Sequence, residues 1–121
     1  WAESQGLNPA PEEIRRWVRV FHEHRPERLD LFDGVRPMLQ TLRSRCRIGI
    51  VTDGDARMQE NKVEALQLRA EVDRIVLTSS LKAPKPSPVG IRVALEQMGA
   101  NPDQAVYVGD HPDLDCPAAR D

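Results

Sequence analysis

Cysteine is scarce: Cys46 and Cys116 are the only two in 121 residues. Two thiols cannot build a disulfide framework, and their separation rules out a CxxC metal knuckle. Charge of one sign is lacking too, with 17 basic side chains against 19 acidic and a net charge of −2. That balance excludes the electrostatic footprint of a general nucleic-acid binder. No apolar run approaches the roughly 20 residues of a membrane-spanning helix. Neither a GxGxxG nor a GxxxxGK(S/T) loop occurs, which speaks against the common dinucleotide and P-loop fingerprints. Internal repeats and low-complexity segments are absent as well. What is present is ordinary: 40% of the residues are hydrophobic, enough for one small core in one domain. The expectation is a cytoplasmic protein with reduced thiols.

Along the chain, Pro11 suits a first helical position, with Glu12 and Glu13 at the positive end of the dipole. Ile14, Trp17, Val18 and Phe21 follow on one helical face. Trp17 and Phe21 are expected in the core or in a lid packed on it. His22 to Asp30 reads as a charged connection broken by Pro26. A second helix is expected from Asp33-Gly34, with Asp33 as cap and Val35, Met38, Leu39 and Leu42 on one face. Ile48 to Val51 is too compact for a helix and reads as a strand, ending in Thr52-Asp53-Gly54-Asp55. A helix over about 57–68 follows, then a second strand at Ile75-Val76-Leu77 and a loop stiffened by Pro84, Pro86 and Pro88. Another helix over 89–98 places Ile91, Ala94, Leu95 and Met98 inward. A third strand is expected at Ala105-Val106-Tyr107-Val108 and a last helix near Pro112. Cys46 and Cys116 are expected to be small buried residues. Strands alternating with helices predict an α/β fold with a parallel sheet flanked by helices. The first helix stands outside that rhythm, as an appendage.

Open parallel sheets bind ligands at the carboxyl ends of their strands. After the first strand, the Thr52 hydroxyl and the backbone around Asp53 and Gly54 can donate to a phosphate oxygen. The same residues also suit a plain helix-capping turn. After the second strand, Lys85 sits between prolines, where its ammonium can neutralise an anion at reduced entropy cost. Lys82 is a weaker rival. After the third strand come Asp110, Asp113 and Asp115, an oxygen-rich set of the kind Mg²⁺ accepts. Asp113 reads mainly as helix N-terminal charge. Gly109 is expected to let the backbone approach a ligand. His111 has no partner ligand nearby and reads as a loop residue.

Taken in order, these strand ends resemble three motifs of the haloacid dehalogenase-like hydrolases, over roughly residues 31–121. IGIVTDG resembles the second motif, in which Thr52 would hydrogen-bond the transferring phosphoryl group. KAPKPSP resembles the third, with Lys85 steadying charge on the nucleophile and phosphate. VYVGDHPDLD resembles the acidic fourth motif, with Asp110 as a Mg²⁺ ligand and Asp115 supporting the metal site or positioning Lys85. The resemblance implies a Rossmann-like core over 31–121, and over 1–30 the end of a helical cap and its linker. It also implies Mg²⁺-dependent hydrolysis of a small phosphorylated metabolite through an aspartyl-phosphate, with no nucleic-acid or membrane partner.

The family's first motif, DxDx(T/V) after a leading strand, is not matched. Asp53-Gly54-Asp55 has that spacing but follows the strand carrying Thr52, so it belongs to the second motif. The expectation is a partial core without the nucleophile strand, inactive alone and prone to self-association through its open sheet edge. The alternative is a non-catalytic binding or assembly domain. A receiver-like or nucleotide-binding fold is a third reading.

Overall fold

The computed structural model describes residue 6, residues 9–23 and residues 28–120, leaving aside the side chains of residues 22 and 23. Residues 24–27 of the expected connection after the first helix, with the side chains of His22 and His24, lie outside the described residues. Helix α1 spans Pro11–Glu23, and the Ala10 N–H donates to Glu13 Oε2 at 2.9 Å, which satisfies one of the orphan donors at its start. Its apolar face does not enter the core: Trp17 is 50% and Phe21 65% exposed. The expectation that these two side chains lie in the core is corrected: half or more of each stays open to solvent.

Helix α2 spans Val35–Arg43 and is capped by Gly34 at φ 83°, not by the Asp33 side chain. A left-handed turn at that point costs glycine nothing. The two strands, β1 (Gly49–Thr52) and β2 (Arg74–Leu77), pair in parallel, with Ile50 opposite Ile75 and Thr52 opposite Leu77. Between them α3 (Ala56–Ala65) starts at an Asp55 cap and stops three residues short of expectation. Gln67 is left-handed there, and a 3₁₀ turn follows over Leu68–Ala70. Part of the proline-bounded loop is helical after all, as the short α4 (Thr78–Leu81) with Lys82 left-handed at its end. The Lys85–Pro86 peptide is cis.

Helix α5 (Val89–Met98) lies against both strands. Gly90 allows that approach, since a Cβ there would come within 2.9 Å of Val51 Cγ1 and Thr78 Cγ2. Helix α6 spans Pro112–Arg120 and touches α5. The core is small and assembled at these contacts: Val63, Val72, Val76, Ala94 and Ala118 are each below 9% exposed.

The expected third strand is corrected. Residues 105–109 join no ladder, and among the described residues the sheet has two strands. Val106 and Val108 are 90% and 87% exposed. Apolar patterning there predicts a strand, but a strand needs a neighbour for its backbone groups. Both cysteines are likewise exposed, not buried: Cys46 lies in the bend between α2 and β1, and Cys116 on the outer side of α6. The accessible surface of 9335 Å² exceeds the roughly 6,600 Å² expected of a compact monomer of this mass.

Candidate active site

The polar residues at the carboxyl end of the sheet converge on Lys85. The turn after β1 is the first support. The half-buried Asp53 carboxylate accepts from the Thr78 hydroxyl at 2.5 Å and from the Lys85 backbone N–H at 3.2 and 3.3 Å. Thr78, 1% exposed, also reaches the Thr52 carbonyl at 3.3 Å. Asp53 therefore ties the end of β1 to the lysine loop. Its carboxylate is spent on that tie, so any contact it makes with a phosphate falls to its backbone. Gly54 turns at φ 114° beside the Gln59 side chain, whose amide donates to the Asp53 carbonyl at 2.8 Å. Asp55 accepts from the Met58 N–H at 2.9 Å as the cap of α3. Both acids of the DGD run thus hold structure. Thr52 is half-buried, and its hydroxyl makes only a 3.4 Å contact to the Asp53 carbonyl, which leaves it able to turn toward a ligand.

The second support is Asp115, on the first turns of α6. Lys85 Nζ donates to its Oδ1 at 2.6 Å, with side-chain exposures of 15% and 5%. The His111 N–H donates to Oδ2 at 2.9 Å. Tyr107, which the sequence reading passed over as a strand residue, completes the group. Its hydroxyl donates to Asp115 Oδ1 at 3.0 Å and accepts from Lys85 Nζ at 3.3 Å. The missed signal was its register: Tyr107 turns inward between two outward valines.

Electrostatics follow from this geometry. Burial, the largest single influence on Lys85, disfavours its charge, but hydrogen bonds and attraction from Asp115 and Tyr107 together outweigh it and raise the pKa. The Lys85 hydrogen bond, then the His111 N–H, lower the Asp115 pKa to about 2. Burial first, with Asp115 also contributing, raises that of Tyr107 against the opposing pull of Lys85. The site is an ammonium–carboxylate pair bridged by a neutral phenol.

Gly109 is where sequence and structure part. A Cβ there would come within 2.5 Å of Asp115 Oδ2, so the close approach it permits is that of Asp115, not of a ligand. As for a metal, both Asp115 oxygens are engaged, whereas Asp110 is exposed and has no partner among the described residues. No group of three or more His, Cys, Asp or Glu residues converges among the described residues. Asp113 lies in the first turn of α6, and Lys82 is exposed away from this cluster.

Fold and site together define a parallel α/β protein that gathers a cation, a hydroxyl and carboxylates at its strand ends. Its sequence matches the profile of haloacid dehalogenase-like hydrolases over residues 2–121. The chain belongs to that family. Among curated relatives, it is 30% identical to a glyceraldehyde 3-phosphate phosphatase of Methanopyrus kandleri, over 95% of this chain and 50% of that protein. It is 34% identical to the mouse N-acylneuraminate-9-phosphatase, over 71% of this chain and 35% of that one. It is 31% identical to a pyrimidine 5'-nucleotidase of Escherichia coli, over 95% and 49%. The crystal structure of a putative beta-phosphoglucomutase from Thermotoga maritima superposes with a TM-score of 0.75 at 25% identity, over 98% of this chain and 56% of that one. The chain spans about half the length, or less, of these curated relatives.

Proposed function

We propose that this chain supplies the phosphate-side residues of a phosphatase that cleaves a small phosphate monoester. The observation that carries the reading is Lys85, whose ammonium is held by Asp115 while its backbone is held by Asp53 beside Thr52. A fixed cation and a hydroxyl at the ends of parallel strands suit the equatorial oxygens of a transferring phosphoryl group. The phosphatase and nucleotidase activities named for its relatives support the same reading.

The nucleophile of this reading is that of the family's DxDx(T/V) motif, which these 121 residues do not match. The motif's first aspartate attacks phosphorus in line, and the ester oxygen leaves with a proton from the second. Water then hydrolyses the acyl-phosphate to inorganic phosphate and the free aspartate. Lys85 holds charge on the nucleophile and the phosphoryl oxygens, and Thr52 donates a hydrogen bond. A single carboxylate with water and substrate oxygens suits Mg²⁺, so Asp110 fits as its ligand here and Asp115 does not. When bound, the ion neutralises phosphoryl charge.

Hydrolysis of p-nitrophenyl phosphate tests this. The 121-residue chain should be no faster than buffer, and a longer chain carrying an upstream DxD strand should be Mg²⁺-dependent. Replacing Lys85 with Ala in the longer chain should lower kcat by about 10²- to 10³-fold, as loss of a charge-stabilising donor does. Turnover by the 121 residues alone would overturn the assignment of the nucleophile.

A further inference from the structure

The geometry points to Tyr107 as a positioning residue that aims the Lys85 ammonium at a bound phosphate-type anion, an inference that rests on the phosphoryl-site reading above. An ammonium has three N–H donors. Asp115 Oδ1 takes one at 2.6 Å and the Tyr107 hydroxyl takes a second at 3.3 Å. The third has no acceptor among the described residues. Two fixed bonds set the direction of the remaining one, which a single ion pair to a flexible four-carbon stem does not do.

Tyr107 also supports the carboxylate that holds Lys85. Asp115 is 4% exposed, and a buried carboxylate stripped of its partners is expensive. The Tyr107 O–H on Oδ1 and the His111 N–H on Oδ2 keep both oxygens bonded while the third lysine N–H serves a ligand. The Lys85 ammonium also lies over the Tyr107 ring, with Nζ 5.9 Å from its centroid. Val106 and Val108, at 90% and 87% exposed, face away on either side, so the segment commits this one side chain to the site.

Tyr107 is the only tyrosine in the chain, so biosynthetic 3-fluorotyrosine places a single ¹⁹F probe on it. Inorganic phosphate is the ligand used, titrated by ¹⁹F NMR into the labelled wild type and a labelled Lys85→Ala variant. Calorimetric titrations of the wild type, Lys85→Ala and Tyr107→Phe accompany them. The resonance should move with phosphate in the wild type and stay still in Lys85→Ala. Tyr107→Phe should weaken phosphate about 3- to 10-fold, less than the full worth of a hydrogen bond to a charged group because Asp115 still holds the ammonium. It should also lower the Lys85 titration midpoint read from its Cε ¹³C shift. Unchanged phosphate affinity in Tyr107→Phe, with binding lost in Lys85→Ala, would overturn the role of Tyr107 and leave the anion site standing. Binding that ignores Lys85, or no binding by the wild type, would remove the anion site and this inference together. Should Tyr107→Phe fail to fold, the ¹⁹F response decides: a shift that persists in Lys85→Ala counts against the coupling.

Discussion

Replacing Gly109 with Ala should disconnect Lys85 from Asp115. The added Cβ would stand 2.5 Å from Asp115 Oδ2 and 2.7 Å from its Cβ, with Cγ closer still. Unbonded atoms of this kind settle at about 3.5–4.0 Å, so the carboxylate must retreat by roughly 1 Å. The Lys85–Asp115 bond is 2.6 Å long, and stretched by that much it reaches about 3.6 Å, beyond hydrogen-bond range. Overpacking costs about 1–3 kcal/mol, offset by about 0.4–1 kcal/mol from a stiffer unfolded chain. Taking the middle of each range, the net loss is about 1–2 kcal/mol. At roughly 3–6 °C per kcal/mol for a chain of this size, Tm should fall by about 3–12 °C. Thermal melts read the stability, and a ¹³C carboxyl titration reads the contact. The Asp115 midpoint should climb from about 2 toward its ordinary 3.8. A Gly109→Ala chain that melts like its parent, with Asp115 still titrating near 2, would refute the packing argument.

Three further outcomes follow from the same geometry. The Asp115 pKa lies below its ordinary value, so its contribution to stability is present above about pH 4 and is lost as pH falls toward 2. Acid unfolding of Lys85→Met should lack that component, and identical acid limbs would count against it. Asp55→Ala should cost about 1 kcal/mol as a lost helix cap and leave phosphate affinity unchanged. Asp53→Ala, which frees the Lys85 loop, should weaken phosphate binding severalfold; calorimetry that ranks them the other way would reverse the two roles. Finally, the exposed Val106 and Val108 should drive association of the chain through their uncovered apolar side chains. Size-exclusion chromatography should show oligomers that Val106→Lys with Val108→Lys removes, and a clean monomer at high concentration would contradict this.

The helices and paired strands were legible because each carries its own period and breakers. Val63 and Ala94 sit buried where the pattern put them, and β1 and β2 pair over the segments that were apolar and too short for helices. Local chemistry could not show what lies opposite a segment. Ala105 to Val108 has strand composition, yet without a neighbouring strand among the described residues it forms no ladder. Trp17 and Phe21 share an apolar face that stays outside the core, 50% and 65% exposed.

The site divides the same way. The sequence alone determined which groups follow the short apolar runs: Thr52 and Lys85 come after β1 and β2, and a parallel sheet delivers such residues to one edge, while Asp110 follows residues 105–109, which join no ladder. Tertiary structure alone decided their partners. It gave the Asp53 carboxylate to Thr78 and the Lys85 backbone, and Asp115 to Lys85 and Tyr107. It also turned Gly109 from a ligand contact into a seat for Asp115. These pairings join residues 8 to 32 positions apart. Period and propensity act over a few residues, whereas hydrogen-bond partners are fixed only when the chain closes its long loops.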